Sequence, residues 1–344
     1  MTGSGLWISR LIESDRFSTG STFADSFLKL GWIPLFLYAA WFLTVGNSAR
    51  VGFTAALLLH TLMLSQVPFL LHYWHRKIFP EFFEKVSELV EDISAAEKVK
   101  ERMENFYTDR YYITTGVWCL GLVLVFLLAS DLMQSQGVTG PGSIGYWIYL
   151  GLILYTGVFT GIGIHLIVTA IRTVRKVSEV EFKIYPLHPD GLGGLSSIGY
   201  FAIWTTLLAS IGSFALPIAF QVAARAGLQF LVFSLVGVYI FLIAFSFFYP
   251  TVKVNRKAQE RQEEMLHDYR DRIRKLQDKL DRQDLSDKEK QSIRLEIQEA
   301  RDEYHEINNV SLYPLTISIL TRLAGSVLLP LTFIFLEMYL PQII

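Results

Sequence analysis

The sequence predicts an all-α integral membrane protein of about seven transmembrane helices, amino end inside and carboxyl end outside, with a cytoplasmic antiparallel helical hairpin. Three observations predict it. Of 344 residues, 51% are hydrophobic and only 18% charged, with a mean hydropathy of +0.35; ordinary soluble domains are about a quarter charged. The charges gather in two long blocks and one shorter one, separated by apolar stretches of roughly 20 residues, the length a helix needs to cross hydrocarbon about 30 Å thick. Lysine and arginine then mark alternate connections, as the positive-inside rule requires.

The first segment, residues 1–28, carries Arg10, Glu13, Asp15, Arg16 and Asp25 and has no long apolar core, so it is not a secretory signal peptide. Leu6, Trp7, Ile8, Leu11 and Ile12 suit a short amphipathic helix on the inner membrane surface. Residues 29–250 hold six spans, at about 30–47, 50–72, 112–133, 145–171, 198–221 and 227–250; a seventh, about 315–340, lies within 313–344. A tight turn near Gly46, Asn47 and Ser48 joins the first two spans. Gln134 to Ser143, with Gly137, Gly140, Pro141 and Gly142, reads as an irregular loop. Tyr111, Tyr112, Tyr146, Trp147, Tyr249, Tyr313 and Tyr339 fall at headgroup level. A six-span arrangement follows instead if the first apolar stretch packs only at the interface.

The connections after spans two, four and six hold 7, 4 and 14 basic residues, 25 of the chain's 31. The opposite side holds only Arg50 and Arg225. Long loops count less in this rule, so Arg172, Arg175 and Lys176 are the best witnesses to orientation. Asn309, Val310 and Ser311 form a glycosylation sequon that this orientation keeps inside, so sugar attached there would overturn it.

The inside connections are helical in pattern. In 73–111, Phe82, Val86, Val90 and Ile93 share a stripe, predicting an extension of spans two and three into the cytoplasm. In 251–312, two seams step by three and four: Leu266, Tyr269, Ile273, Leu276 and Leu280, then Ile293, Ile297, Ala300, Tyr304 and Ile307. Asp284, Leu285 and Ser286 interrupt them, and Ser286 with Glu289 makes a capping box for a return helix. The predicted structure is a coiled-coil hairpin with a solvated surface of 15 acidic and 14 basic residues, better suited to ion pairing than to nucleic acid.

Chemistry is thinly marked. Within the inside connection 172–197, the run Tyr185 to Leu195 places His188 and Asp190 among Gly191, Gly193 and Gly194. It reads either as a rigid turn capped by Asp190 or as a ligand or gating loop. Arg322 lies in or just before span seven, and Glu337 near its outer end; they are the pore or gating candidates, each balanced by a snorkelling or interfacial reading. His72 and His75 share a face at the inner end of span two, where a haem or metal is conceivable. His60 reads as a hydrogen-bonding packing residue, and His165 lies in span four. Gly157 and Gly161 form a small-xxx-small face for close helix packing, and Pro68, Pro217 and Pro330 mark kinks. The single cysteine, Cys119, excludes an intrachain disulfide and a cysteine-based metal site. There is no Walker A loop, dinucleotide fingerprint, HExxH pair or GxSxG elbow. No catalytic residue, resident metal or cofactor is expected, and an enzyme is the less favoured reading.

In topology alone the arrangement resembles that of insect odorant and gustatory receptor channels. The resemblance implies an oligomer whose last helix lines the pore and whose inner extensions form a cytoplasmic anchor; it transfers no residue. The expected function is therefore an oligomeric ion channel or ligand-responsive pore. The alternatives are a membrane-anchored scaffold or signalling protein that binds a partner through the hairpin, and a transporter or membrane enzyme. The expected partners are the lipid bilayer of the cell or inner membrane, further copies of the chain and a cytoplasmic protein at the hairpin, with no nucleic acid.

Overall fold

The computed structural model describes residues 5–15, 18–45, 49–90, 92–138, 140–180, 196–225, 227–281, 286–309 and 332. Among these the chain is helical, without a β-strand. We label the helices α1 (Trp7–Ile12), α2 (Thr22–Val45), α3 (Val51–Leu89), α4 (Ile93–Leu128), α5 (Ser130–Ser135), α6 (Ile144–Val177), α7 (Ser196–Ala223), α8 (Gln229–Leu280) and α9 (Asp287–Asn308). Six of them, α2, α3, α4, α6, α7 and α8, are long and apolar enough to cross a membrane. The chain is a multi-pass membrane protein. The predicted seventh span, 315–340, lies outside the described residues apart from Thr332.

The spans run past their predicted ends in the direction the stripes indicated. α3 continues to Leu89 and α4 begins at Ile93, so the charged connection is the extension of two membrane helices and not a separate loop. Between them Asp92 caps α4, its carboxylate accepting from the amides of Ser94 (2.9 Å) and Ala95 (3.3 Å), which satisfies donors that a helix start otherwise leaves bare. At the other end of α4 the connection is irregular, as expected. Gly137 and Gly140 take φ values of 83° and 100°, a left-handed backbone that a side chain would strain.

Two spans are interrupted. α3 loosens at Ser65 and Gln66 and restarts with Pro68 in its first turn; α7 tightens into a 3₁₀ turn over Ile211–Ala215 and restarts with Pro217 in the next turn. Proline has no amide to donate and fits the first turn of a helix, where none is needed. At the α3 interruption, the Ser65 carbonyl comes within 2.6 Å of where a Cβ on Gly31 would stand. Only glycine lets α2 cross there.

The central contact is α4 on α6. A Cβ on Gly157 would stand 2.7 Å from Cys119 Sγ, and one on Gly161 would stand 2.8 Å from Thr115 Cα. The small-xxx-small face therefore performs the packing that its spacing predicted. Because hydrocarbon surrounds the bundle, apolar burial gains little between helices, and close backbone approach with interhelical hydrogen bonds does the work.

α1 departs from the surface helix that its pattern suggested. Leu6, Ile8, Ser9 and Ile12 are fully buried, and of the apolar stripe only Leu11 is well exposed. The helix packs on the charged end of α3, and Lys29 Nζ donates to the carbonyls of Ile12 (2.8 Å) and Ser14 (2.7 Å). Arg76 closes the edge with an ion pair to Glu13 at 2.6 Å. A lipid surface and a protein groove ask for the same stripe; Lys29 and Arg76 select the groove.

α8 leaves the bundle as one unbroken helix of 52 residues, about 78 Å at 1.5 Å per residue. Its far half packs antiparallel on α9. Leu266 and Leu276 on one side, with Ile297, Ala300 and Ile307 on the other, are buried. Gln262 donates to the Ile307 carbonyl (2.6 Å), Arg272 pairs with Glu303 (3.6 Å), and Arg270 lies over the Tyr304 ring (5.5 Å). Each predicted seam thus meets the other within one chain. The capping box is present: the Ser286 amide donates to Glu289 Oε2 at 2.8 Å, and the Glu289 amide to Ser286 Oγ at 3.4 Å.

Candidate functional site

Between α3, α4, α6, α7 and α8 lies a cavity of about 340 Å³. This lies within the range of sites that hold small molecules. α4 contributes Trp118 to its wall, α3 His60, α6 Thr156, Thr160 and Gly163, α7 Gly212, and α8 Val236 and Tyr239. Among the described residues the lining contains no carboxylate, ammonium or guanidinium side chain.

Most polar groups on the described wall bind one another or the backbone; the Tyr149 hydroxyl is the exception. His60 Nε2 and Thr156 Oγ1 lie 3.2 Å apart. Trp118 Nε1 donates to Thr160 Oγ1 (2.7 Å), which donates to the Thr156 carbonyl (2.6 Å). Tyr239 donates to the Ala209 carbonyl (2.7 Å) across the 3₁₀ turn and lies 3.2 Å from Ser213 Oγ. These bonds hold the helices at a fixed separation, since an unpaired polar group in hydrocarbon costs several kcal/mol on the order given for lipid-exposed backbone.

His165 performs the same work one layer nearer the charged end. Its Nε2 lies 3.1 Å from the Phe106 carbonyl, which only accepts, so Nε2 carries the proton and Nδ1 accepts from Thr114 at 3.1 Å. The ring stacks on Phe106 (4.8 Å), and the Arg172 guanidinium lies 4.3 Å from the centroid of the same phenyl ring. Both His60 and His165 are held by hydrogen bonds between helices, a role the sequence suggested for His60.

At the charged end, His72 and His75 are buried, and the turn carrying His75 is π-helical (Trp74–Ile78). His75 Nδ1 lies 3.3 Å from Ser9 Oγ on α1 and its Nε2 lies 3.8 Å from Glu104. Tyr107 stands 5.5 Å from the His75 ring. The Tyr107 hydroxyl and His72 Nδ1 are buried without a hydrogen-bond partner, an arrangement that in proteins is ordinarily completed by ordered water. Among the described residues no three histidine, cysteine, aspartate or glutamate side chains group as metal ligands. His75, through Ser9, forms part of the seat of α1.

The other sequence candidates, His188, Asp190, Gly191, Gly193 and Gly194 of the inside loop and Arg322 and Glu337 of the last span, lie outside the described residues. The cavity itself had no sequence signal, because Leu, Ile and Val line a void and face lipid equally well. Only Gly163 hints at it: a Cβ there would meet nothing within 4 Å, unlike Gly157 and Gly161 on the same helix. Compared with known proteins, the chain matches no family model, no curated protein and no solved structure.

Proposed function

We propose that this chain is a ligand-responsive membrane protein in which α8 couples the intramembrane cavity to a cytoplasmic helical hairpin. The single observation that carries the reading is the continuity of α8. Val236 and Tyr239 form part of the cavity wall, and the same helix runs without a break to Leu280, in the arm that packs on α9. A rigid helix transmits a tilt or rotation at one end to the other, and a ligand shifts such an equilibrium by its differential affinity for the two positions. The hairpin closes its seams within itself, which suits an output element with a solvated surface better than an oligomerisation stalk. The excess of Lys and Arg on this side supports a cytoplasmic hairpin.

The test needs no identified ligand. Filling the cavity with Gly163→Phe is expected to change hydrogen exchange in residues 259–280 of purified protein. A four-glycine insertion after Lys253, which uncouples the two halves of α8, is expected to abolish that change. Unaltered exchange in a folded Gly163→Phe protein sinks the coupling.

A second reading, an oligomeric channel, draws on the outward apolar face of α4, where Ile113, Val117, Leu120 and Leu124 are exposed and where a second copy would pack. Its charged candidates are Arg322 and Glu337. Ion flux through proteoliposomes whose selectivity shifts in Arg322→Glu would establish it, and flux insensitive to that change would remove the last span from the conduit.

A further inference from the structure

We infer that the cavity takes one acyl chain of a membrane lipid, admitted sideways from the bilayer past α8. The inference rests on the cavity being the ligand site of the proposed coupling, and it assigns the ligand's chemical class. Three properties of the wall point to a hydrocarbon chain and away from a polar solute.

The first is the scarcity of free hydrogen-bonding groups. His60, Thr156, Thr160, Trp118 and Tyr239 each have a partner on the wall itself; of the described lining residues, Tyr149 adds a hydroxyl without one. Beyond that single hydroxyl, a polar ligand would break an existing bond to make its own, with no net gain. A charged ligand would meet no countercharge among the described lining residues, at a large desolvation cost.

The second is access. Leu235 and Val238 line the cavity while 41% and 56% exposed. They lie on a membrane-crossing stretch of α8, so the surface they open onto is hydrocarbon. Water is a poor occupant, because a void lined by Leu, Ile and Phe stays dry. Lipid tails are the apolar molecules present there at the highest concentration.

The third is room. At about 340 Å³ the cavity is more than twice the ~150 Å³ that accommodates benzene in an engineered protein core. Gly163 extends the space along α6, with nothing within 4 Å of a would-be Cβ, whereas Gly212 sets the opposite limit, its would-be Cβ 3.0 Å from the Tyr239 hydroxyl.

The experiment places the full chain in nanodiscs of phosphatidylcholine with a diazirine midway along one acyl chain. Irradiation and peptide mapping then locate the adducts. Adducts are expected on Trp118, Leu208 and Tyr239, reduced at least fivefold in Gly163→Phe. Adducts on Leu120 and Leu124, which face outward, should persist in both proteins. Labelling of outward faces alone overturns the inference, whether the lining is closed or is covered by residues 315–340 or by a second copy. So does lining labelling unchanged in a folded Gly163→Phe protein, or lining labelling abolished by cholesterol, which would reassign the site to a sterol. Should the variant not fold, the wild-type adduct map decides alone. Adducts on the lining with an unresponsive hairpin would sink the coupling and leave the acyl chain in place; a responsive hairpin without such adducts would do the reverse.

Discussion

Gly161 on α6 meets Thr115 on α4 so closely that a Cβ added to the glycine would stand 2.8 Å from the threonine Cα. The obstructing atom is backbone, so no rotamer change relieves it and the helices must move apart. Gly161→Leu is therefore expected to destabilise the bundle by about 1–3 kcal/mol, the usual cost of overpacking a filled interface. Gly163→Ala, two residues on, should be nearly neutral because its Cβ meets only open space. Thermal unfolding of both variants in the same detergent checks the contrast, and equal shifts would refute it.

A second prediction concerns the seat of α1. Ile8 is fully buried and Ser9 Oγ lies 3.3 Å from His75 Nδ1. Truncating a buried isoleucine to alanine costs about 2–5 kcal/mol when the site cannot collapse. Ile8→Ala should release α1 before the bundle unfolds, seen as proteolysis within residues 5–15 while the spans stay intact. Leu11→Ala, at a position 39% exposed, should leave proteolysis unchanged. Equal sensitivity of the two variants would return α1 to the membrane surface.

These two regions also divide what could be read from sequence from what could not. Gly157 and Gly161 announce a close crossing because four residues place two Cβ-free positions on one helix face, and the structure sets α4 there. The hairpin was legible for a similar reason: Leu266, Leu276, Ile297 and Ile307 keep a helical period across a charged background, and nothing but a partner helix explains it. The α1 stripe was equally regular, but lipid and protein reward the same stripe, and the deciding contacts from Lys29 and Arg76 come from residues far along the chain. The cavity left little trace beyond Gly163, since its leucines are indistinguishable from lipid-facing ones. His60, expected to pack and hydrogen-bond, lies 3.2 Å from Thr156 Oγ1, whereas nothing in the sequence assigned His165 its place between Phe106 and Thr114. The tyrosine and tryptophan hydroxyl and indole partners that frame the cavity were not foreseen.

Hydrogen bonds from the Ser286 hydroxyl and then from its backbone amide hold the Glu289 carboxyl below the usual carboxylate range. A group with a depressed folded-state pKa contributes stability that is present above its unfolded value and is lost as pH falls through the folded one. The first turn of α9 is therefore expected to lose amide protection below about pH 4, where free glutamate protonates. Glu289→Gln keeps the capping geometry and should show no such dependence on this side chain. Hydrogen exchange of residues 286–291 at several pH values checks it, and the same acid response in both proteins would refute the assignment.

Leu276 and Ile297 close the hairpin from opposite arms, 7% and 8% exposed. Replacing either with aspartate puts a carboxylate into an apolar seam, and such a charge finds water only if the arms part. Leu276→Asp should open the hairpin beyond Leu266 while leaving the membrane part of α8 helical, because the bonds of Tyr239 and the packing of α7 anchor that half independently. Spin labels at Lys275 and Gln298 would report the change as a longer and broader distance distribution. Lys279→Asp, on the solvated surface of the same turn, should leave the distance as it is, since an exposed charge contributes little to such packing. If both substitutions open the arms equally, net charge holds the hairpin together and not its apolar seam. If neither does, the arms are pinned by polar contacts such as Gln262 with the Ile307 carbonyl, and the rigidity of α8 would then have to be sought nearer the membrane.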